Sequence, residues 1–192
     1  MTTSLPLKAL IKQDIVQYIK FSADFSGESY SKLRMLSALL TPSVMCSSFY
    51  RLAHWFYRRK LLMIARLISR INFLIHKADI SPASEIGPGL YIPHTPGVAF
   101  YGHAGRHLTL YARAIVVTES IHIERHHQVN DAPEIGNNVI VGAYAVVKGK
   151  LTIGDNSTVG PNCYLNESIP ANTTLYNAEK INIILADVQK DT

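Results

Sequence analysis

Two groups of side chains in this 192-residue chain have the types and spacing to do chemistry. The first is the imidazole of His94. An imidazole titrates near neutral pH and takes the proton of a hydroxyl that is otherwise a poor nucleophile. A carboxylate on its other ring nitrogen fixes the tautomer and stabilises the imidazolium formed during attack. The second group is His-rich: His103 and His107, then His122, His126 and His127. Those imidazoles read either as zinc ligands or as polar loop histidines, and His94 alone reads either as a base or as a turn histidine.

The elements that must position these groups show in the aliphatic residues. Ile135, Val141, Val147, Ile153, Val159 and Leu165 recur every six residues, and Gly136, Gly142, Gly154 and Gly160 follow four of them. Neither a helix nor an alternating strand has that period. A chain that turns a corner every six residues does, and its successive coils bury each other as a parallel β-helix. An earlier series runs Ile80, Ile86, Ile92, Val98. It is expected to slip by two residues before Leu110 and Val116 restart it. Thr118–Ala132 reads as a loop projecting between coils, where sites are often lined.

Before residue 78 the pattern is helical. Leu7, Leu10, Ile11, Ile15, Tyr18 and Ile19 share one face of a helix over 6–20. Thr41-Pro42 starts a basic amphipathic helix or helix pair over roughly 43–75. The class is α+β: a helical domain at 1–77, a β-helix at 78–175 and a tail at 176–192, with a short apolar element at Ile181–Leu185. Hydrophobic residues make up 47% and charged residues 17%, which excludes global disorder. Cys46 and Cys163 form no metal or redox motif and read as reduced thiols. No secretory leader or membrane-spanning run is visible, so the expected location is cytoplasmic.

The charge is one-sided. Ser29–Ala78 contains no Asp or Glu and nine Lys or Arg, so the rest of the +5 chain is net −4. This block suits an oligomer contact with a solvated basic face, or peripheral contact with the inner face of an anionic membrane. No nucleic-acid motif accompanies it.

Three stretches resemble the serine acetyltransferase group of hexapeptide acetyltransferases. They are YRLAHWFY (50–57), ADISPASEIGPGLYIPHTPGV (78–98) and APEIGNNVIVGAYAVVKGKLTIGDNSTVGPN (132–162). The resemblance implies a left-handed β-helix, a trimer or hexamer with sites between subunits, and acetyl transfer from acetyl-CoA to a hydroxyl. It makes His94 the general base and Asp79 the residue that orients it. It places the acetyl-CoA co-substrate along Gly142, Ala143 and Pro161; Lys148 and Lys180 are phosphate partners by charge, and no metal is implied.

Departures from the family pattern bear on the acceptor. Pro93 replaces an aspartate, Asp131-Ala132 replaces an Arg-His, and Thr118-Glu119 replaces a Gly-Gly. An aspartate in place of a carboxylate-gripping arginine predicts a sugar hydroxyl of a capsule, exopolysaccharide or lipopolysaccharide pathway as the acceptor. One of His122, His126 or His127 would then stand in for the histidine missing at Ala132. The alternatives are a serine O-acetyltransferase of cysteine biosynthesis, a zinc enzyme of carbonic anhydrase type using the His-rich stretch, and a scaffold without catalysis.

Overall fold

The computed structural model describes residues 5–23, 32–119 and 131–176. Four helices lead: α1 (Leu7–Ala23), α2 (Lys32–Ala38), α3 (Pro42–Arg58) and α4 (Leu62–His76). Helix α1 runs three residues beyond its expected end, and α2 was not foreseen. The basic segment is the pair α3 and α4. Pro42 sits in the first turn of α3, where its missing N–H costs nothing. Lys77 ends α4 in the left-handed conformation, φ 54°.

From Asp79 the chain winds through three parallel sheets. The first stacks β1 (Asp79–Ile80), β3 (Ala99–Phe100), β6 (Ile115–Val117), β9 (Val146–Lys148) and β12 (Tyr164–Leu165). The second stacks β2 (Glu85–Ile86), β4 (His103–Ala104), β7 (Glu134–Ile135) and β10 (Thr152–Ile153). The third stacks β5 (Thr109–Leu110), β8 (Ile140–Val141), β11 (Thr158–Val159) and β13 (Thr174–Leu175). All six residues of the main hexad series are buried, and Val141, Val147, Ile153 and Val159 are wholly so. Each inward aliphatic stacks on its counterpart one coil away, as in the column Phe100, Val116, Val147, Leu165.

The expected slip is real but local, and its placement at Leu110 is corrected. Leu110 and Val116 point inward and lie a multiple of six from Ile80. The displaced residue is Phe100, which takes the inward place in β3. Asp79 pairs with Ala99, twenty residues on, whereas Glu85 pairs with His103 and Tyr91 bridges Thr109, each eighteen on. Ala99 then pairs with Ile115, sixteen on. Two extra residues therefore lie between Tyr91 and Ala99, and two are missing between Ala99 and His103. The long corner carries His94; the tight one carries Tyr101.

The helices are fastened to the first coil by buried polar groups. The Tyr50 hydroxyl donates to the Ser84 carbonyl at 2.8 Å and accepts from the Ile86 N–H at 3.2 Å. His54 Nδ1 lies 2.9 Å from the Pro82 carbonyl oxygen. Cys46 and Cys163 are both buried and unbridged, and burial pushes the Cys46 thiol up to about 12. Among the described residues no helix is long and apolar enough to cross a membrane.

Candidate active site

Asp79 opens the first strand of the β-helix, and its placement follows from three neighbours. Its N–H donates to the Val98 carbonyl at 2.8 Å, and Gly97 N–H donates to the Lys77 carbonyl at 2.8 Å. From α4, Ser69 Oγ donates to the Ile80 carbonyl at 3.3 Å. The half-buried Asp79 carboxylate accepts a hydrogen bond from the Tyr101 hydroxyl at 2.6 Å, on the tight corner. Burial, then the bond to Asp79 and its charge, push the Tyr101 phenol well above its ordinary value, while Arg70 of α4 pulls the other way. Tyr101 is therefore a donor at any ordinary pH, as an ionised carboxylate requires. No signal in the sequence singled it out, because the partnership depends on where the two missing residues fall.

His94 stands exposed on the long corner, beside buried Thr95. The two extra residues lengthen this corner, and the Thr95–Val98 turn returns the chain to Asp79's partner strand. Asp79 and His94 thus lie on one coil, joined through the corner that pairs with Asp79.

The corners that follow β5, β8 and β11 stack below the His94 corner. Arg113 N–H donates to the Pro96 carbonyl, Tyr144 N–H to the Ala112 carbonyl at 3.0 Å, and Asn162 N–H to the Ala143 carbonyl at 2.9 Å. One edge therefore runs from His94 through Arg113 and Tyr144 to Ala143 and Pro161. The guanidinium of Arg113 lies 5.1 Å from the centre of the Tyr144 ring, and both side chains are exposed. Arg113 is a cation on this edge that the sequence reading missed. Gly142 is buried, and a Cβ there would come within 2.7 Å of the Pro161 backbone nitrogen, so coil stacking itself requires glycine. Lys148 is half-buried in β9 on the first sheet; Lys180 lies outside the described residues.

The His-rich stretch divides. His122, His126 and His127 lie outside the described residues, so the zinc reading and the stand-in for Ala132 rest on positions without a structural account. His107 Nδ1 lies 3.0 Å from Gln17 Oε1; burial, then Arg106 and Lys20, lower its pKa. His103 lines a cleft of about 510 Å³ with Ala132, Glu134, Lys150, Thr152 and Ser168. Its N–H donates to the Pro133 carbonyl at 3.0 Å, so His103 is the described imidazole that shares a cleft with Ala132. Asp131 is exposed, with Lys150 Nζ 3.7 Å from its carboxylate.

Comparison with known proteins agrees with this architecture. Residues 132–167 match the family model described as bacterial transferase hexapeptide (six repeats). A serine acetyltransferase of Helicobacter pylori (strain J99) is 33% identical over 144 residues, 73% of this chain and 81% of that protein. One from Synechococcus elongatus is 30% identical over 128 residues, 66% of this chain and 50% of that protein. Among solved structures, serine acetyltransferase isoform 3 of Entamoeba histolytica in complex with cysteine superposes with a TM-score of 0.76 at 23% identity. It covers 94% of this chain, which spans 61% of that one. The Neisseria gonorrhoeae enzyme gives 0.75 at 19% identity, covering 89% of this chain and 63% of that one. These relatives are named for serine. The polysaccharide acceptor expected from Pro93, Asp131 and Ala132 finds no support in them.

Proposed function

The chain belongs to the serine acetyltransferase family, and from that premise we propose that it transfers an acetyl group from acetyl-CoA to the hydroxyl of serine. His94 removes the hydroxyl proton as the oxygen attacks the thioester carbonyl. Asp79 holds the imidazole and balances its positive charge. The tetrahedral intermediate collapses, expels the CoA thiolate and leaves the O-acetyl ester; the proton held by His94 returns to the thiolate. The observation that carries this reading is the match to a serine acetyltransferase over 81% of that relative's length.

The departure at Asp131 does not outweigh it. That carboxylate is three-quarters exposed and has Lys150 beside it. Water and the lysine both screen it, so its repulsion of a substrate carboxylate is weak. Acetyl-CoA lies along the edge from His94 to Pro161, with Arg113 added to Lys148 as a phosphate partner. The coils wind left-handed, and the protein works as a trimer whose sites lie between subunits; both follow the family pattern.

Release of free CoA with acetyl-CoA and serine, against neutral and amino sugars as acceptors, tests the proposal. Saturable turnover with serine supports it. Turnover with a sugar and none with serine overturns the acceptor and keeps the transferase. No thiol release with any acceptor overturns the reaction itself.

A further inference from the structure

The Asp79 carboxylate has two oxygens and, when ionised, only accepts hydrogen bonds. Oδ2 is taken by the Tyr101 hydroxyl at 2.6 Å, the short distance of an O–H donor on a charged acceptor. That bond directs the carboxylate, and among the described residues Oδ1 has no hydrogen-bond partner. Tyr101 is itself held: its N–H donates to the Val116 carbonyl at 2.8 Å, and the next residue, Gly102, donates to Ser84 Oγ at 3.2 Å. It stands on the corner shortened by two residues, and His94 stands on the corner lengthened by two, within one coil. From α4, Arg70 adds a positive charge that bears on the phenol.

We propose that Tyr101 is a positioning residue, the outer member of a Tyr101–Asp79–His94 relay in which its hydroxyl locks the carboxylate that orients the base. The proposal rests on the reading of His94 and Asp79 given above and deepens it. The phenol transfers no proton; it keeps its own hydrogen throughout and acts only by direction. An aspartate free to rotate would spend part of its time with neither oxygen aimed at the imidazole, so the gain is in orientation at the moment of attack.

The test uses the full chain with Tyr101→Phe, Asp79→Asn and the double variant, and Tyr101→Phe removes one oxygen while keeping the ring. Turnover with acetyl-CoA and serine falls about tenfold in Tyr101→Phe, the size of one charge-assisted hydrogen bond. KM for acetyl-CoA stays within twofold, because the donor edge is untouched. In the Asp79→Asn background the same change costs less than twofold, since the locked group is already gone. The imidazole nitrogen signals of His94, read by NMR without any acceptor, shift in Tyr101→Phe. Wild-type turnover with unmoved His94 signals overturns the proposal, as does a full tenfold loss on top of Asp79→Asn. If His94→Ala keeps full turnover, the reading of the site fails instead, and the role of Tyr101 falls with it.

Discussion

Asp14 of α1 and Arg51 of α3 form a two-pronged ion pair in a dry interior. Arg51 Nε donates to Oδ2 at 2.9 Å and Nη2 to Oδ1 at 3.0 Å, and each side chain is 1% exposed. Both partners reach past each other to the first coil. Arg51 also donates to the Ile86 carbonyl and, at 2.7 Å, to the Gly87 carbonyl. Asp14 Oδ1 accepts the N–H groups of Gly89 and Leu90 at 3.0 and 2.8 Å. The pair therefore satisfies a backbone turn that packing against helices has cut off from water, and that turn leads directly into the His94 corner.

Removing one member leaves the other charge buried and orphans backbone groups as well. Arg51→Met is expected to cost ~3–5 kcal/mol of folding free energy, and Asp14→Asn somewhat less because one acceptor oxygen remains. Urea unfolding followed by circular dichroism measures both. A loss under 1 kcal/mol in Arg51→Met would show that water reaches the turn and that the helices are not clamped this way.

The His94 imidazole is assigned the proton transfer, so His94→Ala should lower turnover by about 10²- to 10⁴-fold. Its exposed position on a corner means that no packing is lost, and calorimetric acetyl-CoA binding should match wild type. Loss of donor binding with turnover would place His94 in the donor site rather than at the acceptor.

The prism was legible because its constraint is local. Each inward residue must be aliphatic every six positions, and Ile135 through Leu165 obey this without interruption. Two stretches were not legible for a shared reason. The length changes at the 93–97 and 101–102 corners cancel within one coil, so counting by sixes passes over Phe100 and hides the partnership of Tyr101 with Asp79. Asp14 and Arg51 stand 37 residues apart, Asp14 on the same helical face as Leu10, Ile11 and Tyr18. Only the docking of helix on helix and coil brings the two charges together. The sugar acceptor, which the relatives do not support, was expected because Asp131 was weighed as a bare charge, while in the fold it is solvated and beside Lys150.

A corner ladder was also missed, although its spacing was visible. Asn138, Asn156 and Asn172 each adopt the left-handed conformation, with φ 56°, 57° and 60°. Asn138 Nδ2 donates to Asn156 Oδ1 at 2.8 Å, and Asn156 Nδ2 to Asn172 Oδ1 at 3.2 Å. Asn tolerates this backbone and its amide spans the coil spacing. Asn156→Ala should lose ~1–3 kcal/mol, from both the bonds and the backbone strain. Asn156→Gly should lose less, since only the bonds go. Equal stability losses in urea would show that the φ requirement contributes nothing.

Acid should loosen the helical segment from the coils. His54, held at the Pro82 carbonyl, and His107, held at Gln17, both join helix to coil, and His76 is tied to Asn72 within α4. Burial is the first cause that lowers each pKa from the ordinary 6.5. A lowered folded-state value means that the unfolded chain binds protons first as pH falls. Stability is then intact above about 6.5 and declines below it until the folded-state values are passed. Thermal unfolding at pH 7.5, 6.0 and 5.0 should show a falling midpoint. His54→Gln, which keeps a donor for the Pro82 carbonyl but does not titrate, should flatten that fall. A midpoint that holds steady to pH 5.0, or an unchanged slope in His54→Gln, would remove these imidazoles from the acid response and leave it to the carboxylates.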